Sequence, residues 1–340
     1  MPQRILVTGG CGFIGSHFIA RLFASRTDTF VVNLDAMYYV ARETNVPESI
    51  RQSDRYVFVR GNIADADLVR HLFDSYTIDT VVHFAAQSHV QDSFTNPGKY
   101  VQDNIVGTHT LLEVSRQYGK LELFVHISTD EVYGESLLSS QESQKTEQSI
   151  LCPTNPYAAT KASAELLAAS YFHSFSLPIV ITRGNNVYGP NQFPEKLIPR
   201  FIDLLKRGEP LTIQGNGTQV RGFLHVVDVA RAVECILERK QIGDVYNGEI
   251  YNGEIYNIGC DPEEEYTVLD IAQRLIDLRR EFLNEMHDSV TVVPGIVYVE
   301  DRPFNDKRYF ISNEKLKALG WNATISFADG LKELAWNSWL

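Results

Sequence analysis

Six short apolar runs recur along the first half of the chain: RILVT from Arg4, FVVNLD from Phe30, RYVFVRG from Arg55, IDTVVHFAA from Ile78, LFVHIS from Leu123 and PIVITR from Pro178. Each has the length and the β-branched and aromatic content of a strand. Between them lie segments with helical spacing, such as Leu111, Leu112, Val114 and Tyr118, or Ala164, Leu167, Ala168 and Tyr171. Strands and helices alternating at this pitch predict a parallel sheet covered on both faces, and near-continuous runs such as TVVHFAA agree with burial on both sides. The expected fold class is α/β, a doubly wound parallel sheet. After about residue 183 the rhythm changes: Pro190, Pro194, Pro199 and Pro210 punctuate the chain, followed by a Gly-rich turn, QGNGTQ. A helix is expected from about Asp228, and another opened by Thr267 with Asp270 three residues on, the spacing of a capping box. The organisation predicted is a first lobe over 1–183, joined by returning segments from about 221–258, and a smaller α+β lobe over 184–340. The tandem YNGEIYNGEI, Tyr246 to Ile255, carries two Asn-Gly turn signals and reads as a small hairpin or a lengthened surface loop.

Composition narrows the classes of function. At 340 residues the chain exceeds the size at which one core usually stops growing, which agrees with two lobes. A net charge of −12 argues against sequence-independent nucleic-acid binding, so an anionic ligand would need a local basic pocket. Cys11, Cys152, Cys235 and Cys260 are scattered without a CxxC pair, which suits neither a metal site nor a disulfide framework and fits a reducing compartment. No apolar run reaches the ~18 to 20 residues that cross a bilayer. The first strand begins at Arg4, which predicts no signal peptide and a cytoplasmic location.

Two motifs carry chemistry. Gly9, Gly12 and Gly15 lie between the first strand and a helix, where glycine permits a tight turn, a close backbone approach to a pyrophosphate and close helix packing. Asp35 ends the second strand; a carboxylate there accepts from adenosine ribose hydroxyls and repels a 2′-phosphate, favouring NAD over NADP. The first lobe is thus expected to be an NAD-binding Rossmann-type domain. Tyr157 and Lys161, four apart on a helix, share one face. A phenol titrates near pH ~10, but a neighbouring ammonium or an oxidised nicotinamide favours the phenolate, which can then take a proton from a sugar hydroxyl.

Through TGGCGFIG, HFAAQSHV, STDEVYG, YAATK and RGNNVYGP the sequence resembles the extended short-chain dehydrogenase/reductase family over essentially its whole length. That resemblance places Phe13, Ile14, Asn62, Ile63, Ala85 and Ala86 against the cofactor, with Lys161 on the nicotinamide ribose. It makes Asn104 the residue that orients this lysine through water. Asn62 stands where relatives usually carry an acid that accepts from the adenine amino group, and Gln87 where many bacterial members have Glu.

The triplet Thr129, Asp130, Glu131 resembles that of the nucleotide-sugar 4,6-dehydratases. The resemblance assigns Tyr157 as base for the C4 hydroxyl, Thr129 as the group that holds it, Glu131 as base for the C5 proton, and protonated Asp130 as acid for the departing C6 hydroxyl. Closely spaced acids have their pKa values driven apart, as such an elimination requires. In the second lobe the family pattern puts Asn186 near the phosphates, Lys196, Leu197 and Ile198 along the nucleotide, and Arg221 and Arg302 on the diphosphate, where a planar guanidinium binds phosphate oxygens bidentately. Ser88, His89, Asn257 and Asn305 are further substrate candidates. RGNNVYGPNQFPEKLIP and DRPFNDKRYF look most like the dehydratase portion of plant rhamnose synthases, which act on UDP-glucose. Bacterial dTDP-glucose dehydratases typically carry His where Asn305 stands. The alternatives are a dTDP-glucose dehydratase, a nucleotide-sugar 4-epimerase or decarboxylase, and a non-catalytic NAD-binding sensor. Family members commonly form homodimers through a four-helix bundle, for which the helix after Tyr157 is a candidate.

Overall fold

In the computed structural model, residues 3–138, 143–242, 253–287, 293–300 and 306–340 are described. Each of the six apolar runs contains a strand: β1 (Arg4–Thr8), β2 (Phe30–Asp35), β3 (Tyr56–Arg60), β4 (Thr80–His83), β5 (Leu123–Thr129) and β6 (Ile179–Gly184). Six more follow: β7 (Asn186–Tyr188), β8 (Leu211–Gln214), β9 (Val220–His225), β10 (Ile255–Ile258), β11 (Glu265–Thr267) and β12 (Ile296–Val299). Seven of these form one sheet in the order β10-β6-β5-β4-β1-β2-β3, every pair parallel. The order reverses between β1 and β4, and a doubly wound sheet opens a ligand crevice at the carboxyl ends of its strands at that point.

Alternation along β1 sends side chains to opposite faces. Ile5 and Val7 pack with Phe18, Ile19 and Leu22 on one side, while Leu6 joins Val32, Leu34, Phe73 and Leu112 on the other. Helices cover both layers, so the strands read as unbroken apolar runs. A third core, with Tyr188, Phe201, Leu205, Leu275, Phe327 and Trp339, belongs to the smaller lobe. That lobe carries the β11-β9-β7 and β12-β8 sheets. Its Val268–Glu285 helix opens with the capping box expected at Thr267 and Asp270, each side chain bonding the other residue's backbone.

The returning segment rejoins the main sheet only at its end. Residues 221–225 lie in β9, which pairs with β7 and β11 and not with the main sheet. Leu224 of β9 already packs in the first core, the Val226–Ile242 helix packs on the Phe13–Ser25 helix, and the chain rejoins the main sheet in β10. Leu316 and Trp321 also come back to this core, and the Trp321 indole donates to the Asp228 carbonyl at 3.0 Å. Residues 246–252, most of the tandem repeat, lie outside the described residues. Among the described residues no helix is long and apolar enough to cross a membrane.

Candidate active site

One cavity runs along the carboxyl ends of β1, β2, β4 and β5, and its wall begins at the glycine turn. Gly9 has φ +72°, and a Cβ there would lie 2.7 Å from the Ala85 nitrogen; a Cβ at Gly15 would lie 2.5 Å from the Gly9 carbonyl oxygen. Only glycine allows both the left-handed turn and this close packing of helix on strand. The Phe13–Ser25 helix starts at Gly12 with no side chain capping it and no acid in its first turn, so its N–H groups open into the cavity wall as a site for an anion. Asp35 is buried; its carboxylate accepts from the Cys11 N–H at 2.9 Å and the Met37 N–H at 2.8 Å. Burial raises its pKa, and those two donors pull it back. Phe13, Ile14, Asn62, Ile63, Ala85 and Ala86 line the same cavity. The Asn62 amide oxygen accepts from the Ala64 N–H at 2.8 Å, and its NH2 donates to the Tyr38 hydroxyl at 3.1 Å. A glycine cradle that any Cβ would fill, an uncapped helix end and a carboxylate beyond it fit a dinucleotide.

Asn104 does not reach this cavity. Its side chain is buried, accepts from the Gln87 N–H at 2.7 Å and donates to the Gln87 carbonyl and the Thr160 hydroxyl. One accepted and two donated bonds hold the β4 loop against the Pro156–Phe175 helix.

The catalytic candidates meet at the other end. Alternation along β5 stops at Thr129, where a single 3-10 turn, Asp130–Tyr133, begins. The turn replaces the two-residue repeat of the strand, which lets neighbouring acids face one space. Thr129, Asp130, Glu131, Tyr157 and Lys161 all line the cavity. Asp130 is 2% exposed, its Oδ2 accepts from Asn185 at 2.6 Å and its Oδ1 from the Thr129 hydroxyl at 3.1 Å. Burial first, then the Glu131 charge, raises its pKa to about 7, against the bonds from Asn185 and Thr129. Glu131 is raised by burial too, opposed by a 2.9 Å bond from Asn155 and by the charges of Lys196 and Arg221.

Tyr157 and Lys161 are carried by the Pro156–Phe175 helix, which Asn155 caps by accepting from the Ala158 N–H. Lys161 donates to the Ile127 carbonyl at 2.6 Å, and burial lowers its pKa to about 8. Burial, then Glu131, pushes the Tyr157 phenol up, while a bond from Thr129 opposes them. The sequence expectation was a phenol drawn down by Lys161; in the protein alone burial and the charges of Glu131 and Asp130 push it up instead. A positive charge brought beside the phenol favours its ionised form.

A second cavity, under the smaller lobe, shares His89, Glu131, Asn186, Gln192 and Lys196 with the first. Leu197, Ile198, Arg221, Asn155, Asp306 and Tyr309 line it as well. Arg221 donates to the carbonyls of Val220 and Asp306 and lies over the Tyr309 ring at 5.2 Å, which fixes its fork at the cavity wall. Ser88 lines the first cavity, and its carbonyl accepts from Lys196 at 3.0 Å. Asn257 is corrected: it is 0% exposed within β10, accepts from the Tyr133 hydroxyl at 2.8 Å and donates to the Lys145 carbonyl. A sheet position buried on both faces cannot offer its amide to a ligand. Arg302 and Asn305 lie outside the described residues.

Sequence reasoning missed four groups. Asn155 carried a signal, an Asn just before a Pro-initiated helix. Asn185, Asp306 and Tyr309 carried none of their own, since what brings them to the acids is the crossing of the two lobes.

The comparisons fit this geometry. Residues 6–334 match the family model described as GDP-mannose 4,6 dehydratase. The chain belongs to that family, the nucleotide-sugar 4,6-dehydratases of the extended short-chain dehydrogenase/reductase fold. It is 45% identical over 336 residues to a trifunctional UDP-glucose 4,6-dehydratase/UDP-4-keto-6-deoxy-D-glucose 3,5-epimerase/UDP-4-keto-L-rhamnose-reductase of Arabidopsis thaliana, covering 98% of this chain and 46% of that relative. The chain thus spans about half the length of that protein. It is 40% identical over 331 residues to the human dTDP-D-glucose 4,6-dehydratase, covering 97% of this chain and 88% of the relative. Among solved structures, a dTDP-glucose 4,6-dehydratase of Streptomyces venezuelae with NAD bound superposes with TM-score 0.82 at 36% identity, covering 98% and 96% of the two chains. A UDP-glucuronic acid 4-epimerase of Bacillus cereus in complex with NAD and UDP-glucuronic acid gives 0.84 at 32%, covering 99% and 98%.

Proposed function

We propose that the protein is an NAD-dependent hydro-lyase that converts UDP-glucose to UDP-4-keto-6-deoxyglucose. The observation that carries the reading is the meeting of Thr129, Asp130, Glu131 and Tyr157 on one wall of the cavity that begins at the glycine cradle. The Gly9–Gly15 turn, Asp35 and Lys161 would hold the cofactor. When bound, NAD supplies a positive charge beside Tyr157 and an acceptor for the C4 hydride, which it later returns to C6.

The chain's own residues perform the proton transfers. Tyr157 takes the proton of the C4 hydroxyl, with Thr129 donating to the phenolate. A ketone at C4 makes the C5 proton acidic, and Glu131 takes it. Asp130, with its pKa near about 7, retains its proton on a substantial fraction of molecules at neutral pH and gives it to the C6 oxygen, which leaves as water. The proton held by Glu131 then returns to C5.

Lys196 and Arg221 supply the local positive charge that a diphosphate needs on an acidic protein. UDP is preferred to dTDP because the blocks RGNNVYGPNQFPEKLIP, 183–199, and DRPFNDKRYF, 301–310, resemble those of UDP-glucose dehydratases. Exposed Val101, Val106, Leu166 and Phe175, on the 101–118 and 156–175 helices that pack side by side, support a homodimer through a four-helix bundle. The four separated cysteines suit the cytoplasm.

The test is incubation of the protein with UDP-glucose and, separately, dTDP-glucose, with mass and NMR analysis of the product. Loss of one water and a C6 methyl group from the UDP sugar are expected. A product of unchanged mass with inverted C4 would instead identify an epimerase, and turnover of the dTDP sugar alone would move the base assignment.

A further inference from the structure

Asn185 stands where the chain leaves the seven-stranded sheet, in the one-residue gap between β6 and β7. It is 6% exposed, and its backbone N–H donates to the Ile258 carbonyl at 3.1 Å. Its amide oxygen accepts from the Cys260 backbone N–H at 3.1 Å. A peptide N–H can only donate, so that bond fixes which end of the amide faces which way. The NH2 end must then point at Asp130, and it does, at 2.6 Å from Oδ2. Gly222 leaves the room for this: a Cβ there would lie 2.4 Å from the Cys260 sulfur and 3.2 Å from the Asn185 amide oxygen.

We infer that Asn185 is a positioning residue for the general acid: by making Asp130 Oδ2 a permanent acceptor, it confines the transferable proton to Oδ1, the oxygen beside Thr129. This rests on the dehydration proposed above. If the proton sat on Oδ2 it would confront an NH2 group, two donors face to face in a buried site, which costs a hydrogen bond that cannot be replaced by water. On Oδ1 the proton meets an acceptor, the Thr129 oxygen at 3.1 Å.

The placement has a consequence for Thr129, which owns one hydroxyl proton, gives it to Asp130 and lines the same cavity as Tyr157. When Asp130 is ionised, the two compete for that proton. When Oδ1 carries its own, Asp130 donates to Thr129, and the threonine proton is released to Tyr157. One protonation event therefore arms the acid and assists the phenolate, and Asn185 decides that it happens on the useful oxygen.

The experiment uses the NAD-loaded protein with UDP-glucose and the variants Asn185→Leu, similar in size without a donor, and Asn185→Ser, which keeps a hydroxyl donor. For Asn185→Leu the kcat for dehydrated product should fall roughly twofold to tenfold, since the proton is no longer held to one of the two carboxyl oxygens, with KM nearly unchanged. Reduced nicotinamide should accumulate at the steady state. The alkaline limb of the kcat profile should move to higher pH, because the lost bond had favoured the ionised carboxyl. Asn185→Ser should restore part of the rate. A loss of rate with the alkaline limb unmoved would overturn the inference, because a merely structural defect lowers amplitude without shifting a titration. If the wild-type protein dehydrates neither nucleotide sugar, the functional reading fails separately. The inference is then decided by the infrared carboxyl band of Asp130, assigned with Asp130→Asn: its titration must rise in Asn185→Leu, and an unchanged titration refutes it.

Discussion

Replacing Glu131 by Gln separates the two halves of the proposed reaction. The amide keeps the size of the side chain and can still meet Asn155, but cannot take a proton from C5. Removing a positioned general base lowers a step by ~10²–10⁴-fold, equivalent to about 3 to 5 kcal/mol of barrier at 1.36 kcal/mol per tenfold. The same substitution acts on Tyr157 with the opposite sign. The Glu131 charge is the second-largest influence raising the phenol, after burial. Its removal favours the phenolate, so C4 oxidation should proceed at lower pH than in the wild type. The assay is stopped-flow absorbance of reduced nicotinamide in a single turnover, with quenched samples analysed by mass. The variant should reduce its bound cofactor, with the pH midpoint moved downward, and then stall with reduced cofactor and an undehydrated 4-keto sugar. Release of dehydrated product at the wild-type rate would refute Glu131 as the C5 base. A pH midpoint for cofactor reduction that stayed in place would refute the electrostatic coupling to Tyr157.

Other substitutions probe the remaining parts. Tyr157→Phe removes the phenol while leaving its ring contact with Tyr100, and single-turnover absorbance should then register no reduced cofactor beyond about one part in a hundred of the wild-type rate. If Asp130 is the acid proposed above, with its pKa raised to about 7, dehydration should decline as pH rises through that value while C4 oxidation does not; a pH series that follows both steps checks the sign. Gly15→Ala sets a Cβ against the Gly9 carbonyl, so calorimetry should register NAD binding weakened at least tenfold. Leu166→Glu puts a charge on a side chain that is 64% exposed on the proposed dimer face, and light scattering should register monomers with the fold intact by circular dichroism.

What the sequence could disclose was whatever a short stretch of chain decides by itself. The apolar runs at Ile5–Val7, Val31–Leu34 and Leu123–Val125 became buried strands because β-branched and aromatic residues pack on both faces of a sheet. The Gly9–Gly15 turn was legible because a tight left-handed turn and a crowded helix start exclude other residues locally, and the Thr267 cap because its partner is three residues away. Long-range contacts were not so encoded. Asn257 resembles any ligand-facing asparagine until β10 enters the sheet and buries it, and Asn104 spends its amide on a loop that only the fold brings near. The state of the site belongs to the tertiary structure most of all. Desolvation raises Asp130, Glu131 and Tyr157 together, and Asn185, fifty-five residues from Asp130 in the chain, aims the acid through a backbone N–H of Cys260. A carboxylate's proton depends on burial and on partners arriving from other segments, and neither quantity exists until the two lobes have closed on each other.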